Sequence, residues 1–179
     1  MSVSAVLDFW FRELGPEKWF ASDTNLDAIC EDRFGELHKQ AAAAELYSWR
    51  KTHEGRLAEI LLLDQFSRNI HRNTPGAFAS DAMALALAQE AVALGVDMAL
   101  SQDERKFIYM PYMHSESAKI HEEAMRLFSG PGMEDNLDFE KQHKAIVDRF
   151  GRYPHRNEIL GRESTEAEKA FLATEGSSF

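Results

Sequence analysis

The chain is short of disulfide partners, of β-branched residues and of positive charge. Its one cysteine, Cys30, has no second thiol to pair with, so no internal disulfide is expected to hold the fold. Cys30 falls on the apolar stripe of an expected helix and reads as a small core residue in a reducing compartment. Apolar runs such as FIYMPYM (107–113) fall far short of the roughly 20 residues that a membrane-crossing helix needs. The opening residues, MSVSAVLDFWFREL, carry Asp8 early and space Val6, Phe9, Trp10 and Leu14 along one helical face. They read as an amphipathic first helix and not as a signal peptide. Lys and Arg number 20 against 30 Asp and Glu, a formal net charge of -10, which argues against the broad basic surface of a general nucleic-acid binder. The expectation is a cytoplasmic protein with neither nucleic acid nor membrane as partner. A homo-oligomer is left open, with Trp10, Trp19 and Trp49 available to pack a dimer or the core.

Chemistry-bearing loops are missing as well. No serine sits in a Gly-x-Ser-x-Gly elbow, and no Gly-rich phosphate loop of the dinucleotide or Walker kind occurs. Cys30 has no electropositive neighbourhood in sequence that would activate it as a nucleophile. No cofactor is implied.

What is present points to helix. The 23 alanines and 17 leucines outnumber the 17 residues of Val, Ile and Thr together, and β-branched side chains lose rotamer freedom in helices. An all-α fold is expected, and 179 residues fit one domain, 1–179, with 172–179 as a loose tail. Turn and capping residues divide the chain into about seven to eight helices. Gly15-Pro16 ends the first, Asp23 or Thr24 opens the second, and the alanine run 41–44 continues or restarts helix as far as Trp49. Thr52 caps a helix apolar nearly all round at Ile60–Leu63 and therefore central. Gly95 closes the small-residue helix in FASDAMALALAQEAVALG, and Ser101 with Glu104 forms a capping box. Pro111 either kinks the following helix or starts another, after which Ser115 and Glu116 are placed to cap. Asn136 or Asp138 opens a helix that Gly151 ends, and Thr165 with Glu168 makes a last capping box. No tetratricopeptide pattern of about 34 residues repeats along the chain.

Several polar groups stand out. Asp64 and Arg68 have the acid-first i,i+4 spacing of a helical ion pair, and Asp64 falls on the apolar side of its helix. This reads either as a pair closing a buried helix or as Arg68 and Asn69 presenting donors into a cleft. His114 to Glu116, just after Pro111, can act as acid and base, or can simply cap and pack. His143 falls on an inward stripe, and Glu140 precedes it by three, the spacing used in di-iron bundles. That motif occurs only once, so His143 reads as a core histidine, His121-Glu122-Glu123 is a weaker candidate, and no metal is expected. The segment RFGRYPHRN (149–157) is locally basic within an acidic chain. Gly151 and Pro154 make it a stiff turn, so its arginine forks are held ready for carboxylates of the protein or of a ligand.

Three ordered stretches, LLLDQFSRNIHRNTPGAFASDAMAL, YMPYMHSES and RFGRYPHRNEILGR, together resemble the bacterial family catalogued as domain of unknown function 924. The likeness runs from VLDFWF through STEAEKAFL. It implies a tetratricopeptide-like right-handed superhelix of antiparallel helix pairs, and it carries no established activity. It maps the family's motif positions onto Asp64, Gln65, Arg68, Asn69, Pro111, His114, Ser115, Glu116, Arg152, Pro154, His155, Arg156 and Asn157, with Ser67 where proline is expected. The leading expectation is a binding protein whose Arg68, Asn69, Arg152, Arg156 and Asn157 donate to a small anionic ligand or a peptide carboxylate while Asp64 and Glu116 orient the arginines. The alternatives are an enzyme using His114 and Glu116, or His155, as acid and base, and a purely structural set of ion-pair locks.

Overall fold

Among the described residues, five of the nine helices begin where a side chain satisfies free N–H groups. The computed structural model describes residues 2–177. Ser2 accepts from the Ala5 amide to open α1 (residues 3–14), whose second half, Phe9–Leu14, is wound as a π-helix. Asp23 accepts from the amides of Asn25 and Leu26 and opens α2 (Thr24–Ala42). Thr52 does the same for Gly55 at the head of α3 (residues 53–70), which passes through a π turn at Leu62–Phe66 and runs on through Ser67 to Ile70. The chain continues with α4 (Asp81–Ala93), the short α5 (Val96–Ala99), α6 (Gln102–Met113), α7 (Ala118–Phe128), α8 (Glu134–Phe150) and α9 (Glu166–Leu172). Among the described residues there are these nine helices and no strand, as an all-α chain requires.

The expected punctuation holds at most boundaries. Both capping boxes form, and Gly95 and Gly151 take left-handed backbone at φ 70°. Three boundaries differ. The alanine run does not continue α2 to Trp49, because Ala44 adopts φ 58° and closes a Schellman turn, with the Glu45 amide bonded to the Gln40 carbonyl and the Ala44 amide to the Ala41 carbonyl; helix restarts instead as the 3-10 segment Tyr47–Lys51. Neither Asn136 nor Asp138 caps α8, which starts earlier, at Glu134. Ser115 and Glu116 lie outside α7, whose cap position is Ser117; Glu116 is bonded elsewhere, as described below. Pro111 sits inside α6, which neither stops nor restarts there.

The helix α3 is the centre of the assembly. It contacts α1, α2, α4 and α6, and Leu57, Ala58, Ile60, Leu61, Leu62, Leu63 and Phe66 along it are buried. Trp10 packs at 5.2 Å from Phe66 and edge-on at 5.6 Å to Phe107, and Trp19 meets Phe107 at 5.0 Å. Trp10 and Trp19 therefore belong to the core and not to an oligomer surface, with Trp49 half-buried against it. Beyond α3 the helices pack in succession, α4 on α6, α6 on α7 and α7 on α8. A second, smaller cluster of Ile146, Val147 and Tyr153, joined by Phe150 and Phe171, ties α8 to α9 and to the intervening turn. No described helix is long and apolar enough to cross a membrane. At the tail, Ser177 is buried and donates to the Leu172 carbonyl; residues 178 and 179 of the expected tail lie outside the described residues.

The last helix is pinned by charge. Arg152 donates through Nε and Nη2 to both oxygens of Glu168 at 2.7 and 2.9 Å, and Glu168 also accepts from the Thr165 amide. Arg152 is the chief reason that the Glu168 carboxyl is lowered to about 2. A depressed carboxyl stabilises the fold above its unfolded value, near 4.5, and loses that stabilisation as pH falls toward 2. Glu168→Gln is thus expected to lower the unfolding midpoint at pH 7, with a gap from the wild type that narrows steadily in urea titrations between pH 5 and pH 2. A gap independent of pH would show that the pair is not the source.

Candidate functional site

Two distant pieces of chain meet at the carboxylate of Asp81, and a third joins them through Asp64. From the last turns of α3, Arg68 donates to both oxygens of Asp81, Nη1 to Oδ1 at 3.0 Å and Nη2 to Oδ2 at 3.1 Å. From the 3-10 turn Pro154–Arg156, Arg156 reaches the same carboxylate, Nη1 to Oδ2 at 3.3 Å, and donates through Nη2 to the His114 carbonyl at 3.0 Å. From the end of α6, the ring of His114 places Nδ1 2.7 Å from Oδ1 of Asp64, and that same oxygen lies 3.2 Å from Arg68 Nη1. Gln65 donates to the other oxygen of Asp64 at 2.7 Å.

Local structure explains these positions. The π turn at Leu62–Phe66 adds a residue to the helical repeat at Asp64, a device common at functional positions, and it leaves Asp64 only 1% exposed within an apolar helix. Ser67 does not break the run, since its hydroxyl donates back to the Leu63 carbonyl at 2.7 Å and lies 2.7 Å from His38 Nε2. Arg156 lies over two rings, its guanidinium 4.6 Å from the centroids of both Phe78 and Tyr153. Its Nε is buried and has no hydrogen-bond partner among the described residues. The side chains of Arg68, Asp81 and His114 are 21%, 19% and 15% exposed, so the cluster reaches the surface without standing out from it.

The electrostatics follow from burial and pairing. Burial opposes ionisation of Asp64, but His114, Arg68 and Gln65 outweigh it and hold the carboxyl below the ordinary range. Burial, then the Arg68 charge, lowers the His114 imidazole despite Asp64, so the ring is neutral near pH 7. Burial and the facing Arg68 also lower Arg156, since two guanidiniums share one carboxylate. The arrangement can hold a planar anion against fixed N–H donors, with a neutral imidazole beside it.

Of the sequence candidates, Asp64, Arg68, His114 and Arg156 are therefore brought together. The rest have other partners. Asn69 does not face the cluster with Arg68; it donates to Asp27 at 2.9 Å, beside a two-point Arg72–Asp27 pair that fastens α3 to α2. Arg152 is held by Glu168, as above. Asn157 donates to Ser164 Oγ and accepts from Arg162 Nε. Glu116 orients neither Arg68 nor Arg156 by hydrogen bonding; it is gripped by both ends of the Arg162 fork at 2.7 and 2.9 Å and accepts from the Tyr153 amide at 2.6 Å. Although burial opposes it, those bonds lower the Glu116 carboxyl, which leaves it an ionised structural anchor and a poor general acid. His155 is partly buried, and burial with the neighbouring Arg156 lowers it to about 4.

His121 and Glu140 form a separate fully buried pair, Nδ1 to Oε1 at 2.6 Å. His121 Nε2 must donate, because it faces the Ser115 carbonyl at 2.8 Å, and burial raises the Glu140 carboxyl. His143 bonds the Phe139 carbonyl and packs edge-on to Tyr153, as a core histidine does. Among the described residues no three His, Cys, Asp or Glu side chains gather to hold a metal ion. Two surface recesses lie apart from the Asp81 cluster, one between Arg149, Arg152 and Glu168, the other between Asp97, Tyr109, Arg126 and Met133.

Sequence reasoning missed Asp81, Arg162 and the ring pair Phe78 and Tyr153. Asp81 lies in FASDAMAL, where an acid at a helix start has an ordinary reading as a partner of the helix dipole. The available signal was the need of two buried arginines for acids beyond Asp64.

Comparison with known proteins adds a family and no activity. The solved structure of a protein of unknown function from Agrobacterium tumefaciens is 41% identical to this chain, covers 96% of both chains and superposes with a TM-score of 0.89. No curated protein matches the chain. The family model for bacterial proteins of unknown function, DUF924, matches residues 6–176, and the chain belongs to that family.

Proposed function

We propose that the chain is a cytoplasmic binding protein for a small anionic molecule or a peptide carboxylate, taken at the Arg68–Arg156 cluster. The observation that carries this reading is Arg156. Its guanidinium lies over the rings of Phe78 and Tyr153, and its Nε–H is buried with no acceptor among the described residues. A buried donor left unmatched costs about 1–3 kcal/mol, and an acceptor supplied by a ligand recovers it. The fork is also pre-organised, which removes part of the ordering that binding otherwise requires. Arg156 shares the Asp81 carboxylate with Arg68 at a place the solvent reaches. A stack of helix pairs of tetratricopeptide kind suits such a role, and the succession of α6, α7 and α8 supports it. The sole, buried thiol is in keeping with a reducing compartment, and the charge of -10 weighs against nucleic acid as the ligand.

The test is calorimetric titration of acetate, succinate, inorganic phosphate and a short peptide with a free C-terminus. Arg156→Lys keeps the charge but loses the fork, and is expected to weaken binding about tenfold or more. Arg152→Lys, on the Glu168 pair, is expected to leave affinity unchanged. Absence of binding by every probe, or equal loss in both variants, overturns the proposal. The Glu116–Arg162 and Arg152–Glu168 pairs favour a second, compatible reading for their own residues, as locks that join the basic turn to its neighbours.

A further inference from the structure

His114 has one nitrogen fixed and one left over. Asp64 is ionised and can only accept, so Nδ1 carries the proton toward it, and the neutral ring keeps its lone pair on Nε2. No described residue hydrogen-bonds to Nε2, and the side chain is 15% exposed. This is the arrangement of a general base backed by a buried acid, except that no serine, threonine or cysteine among the described residues bonds the free nitrogen. Such a base acts on the bound molecule itself and not through a protein nucleophile. Both cations lie close by: Arg156 donates to the His114 carbonyl, and Arg68 to the Asp64 carbonyl at 2.8 Å.

We infer that His114, positioned by Asp64, is a general base that takes a proton from the carbon next to the ketone of a 2-oxo acid. The inference rests on the anion-binding reading above, which supplies the hold on the carboxylate. The substrate class follows from acidity. Neutral imidazole cannot deprotonate the carbon of a simple carboxylate, whose conjugate base would carry a second charge with no carbonyl to take it. A carbon beside a ketone is acidic enough when a cation meets the oxygen that becomes negative. Arg156 is placed for the carboxylate and Arg68 for that oxygen. In the step, the C3–H bond breaks and its proton passes to Nε2. The bond's electron pair becomes the C2–C3 double bond, and the C2 carbonyl pair moves onto oxygen. Return of a proton from Nε2 to C3 reverses every change, so no oxidant or second reactant is required. In deuterium oxide the ring proton exchanges with solvent, and C3 acquires deuterium.

The experiment follows loss of the C3 proton signals of pyruvate, 2-oxobutyrate and 2-oxoglutarate by NMR in deuterium oxide, with calorimetric titration of the same compounds in parallel. At least one compound is expected to bind and to exchange with the wild type. His114→Gln, which still offers Asp64 a donor, is expected to keep affinity within about threefold and to lose exchange by about 100-fold or more. Asp64→Asn, with its own fold checked by circular dichroism, is expected to lower exchange and to shift its pH profile, which a purely structural role would not move. The groups facing the ring are Asp64 and Arg68 from α3, Asp81 from α4, Arg156 from the turn and His143 from α8. Exchange is expected to rise with pH and level off below the ordinary imidazole value. Binding without exchange in the wild type, or exchange that survives His114→Gln, overturns the base and leaves the anion site standing. No binding by these compounds or by the anions above overturns both.

Discussion

Asp64→Ala is expected to destabilise the protein by about 3 kcal/mol at pH 7, toward the lower end of the range for breaking a buried charged pair. The lower end applies because Arg68 keeps Asp81 as a second partner, while His114 Nδ1–H and the Gln65 amide lose the acceptor they share. For a chain of this size that is a fall of about 6–12 °C in the melting temperature. Asp64→Asn, which retains an acceptor oxygen, is expected to cost about half as much. The pH dependence has a definite sign. The folded carboxyl titrates below its unfolded value of about 4, so its stabilisation is complete above that pH and fades as pH falls through the folded value. Urea unfolding at pH 7 and pH 3 is the measurement. A wild-type advantage that does not shrink at pH 3 would mean that volume, and not charge, accounts for the loss.

Phe66→Ala is the second large effect, at about 3–5 kcal/mol, because truncating a buried aromatic leaves both lost contact and a cavity. Phe66 is fully buried, with ring centroids of Phe34, Trp10 and Phe9 at 5.0, 5.2 and 5.9 Å. These rings come from α1 and α2, so one substitution loosens the two helices that cover α3. The melting temperature is expected to drop by about 6–20 °C, with an unchanged denaturant slope if the native fold survives. Phe66→Leu, which refills most of the volume, is expected to recover more than half of the loss. Equal losses for Ala and Leu would point to the ring edges, and not to the filled space, as the stabilising feature.

Only one residue separates Asp64 from Phe66, and the sequence treated them unequally. Phe66 follows Leu62 by four and Leu63 by three, just past the run Ile60–Leu63 that reads as apolar nearly all round, so periodicity places it on the inward side. Asp64 was legible as an inward-facing acid, since it follows Ile60 by four and Leu61 by three. Its ring partner, His114, lies 50 positions away and no local pattern pairs them. The i,i+4 bond to Arg68 was read correctly, but Arg68 also turns to Asp81, an acid whose place at the head of α4 is already explained by the helix dipole. Arg156 and Arg152 looked equivalent in RFGRYPHRN. Four positions apart on a turn that bends at Gly151 and Pro154, they face different helices, one meeting Asp81 and the other Glu168.

Determined by the sequence alone were the helical class, most helix ends, the central place of α3, the burial of Cys30 and the family. Each rests on local chemistry: alanine and leucine content, capping side chains, glycine at left-handed positions, and a hydrophobic period short enough to read along the chain. The tertiary structure decided which acid each arginine meets, that His114 Nε2 has no hydrogen-bond partner among the described residues, and that Glu116, Arg152 and Asn157 fasten the turn while Arg156 lies over two rings. A carboxylate accepts from any donor the fold brings within about 3 Å, so its partner is set by how helices pack and not by how residues are spaced.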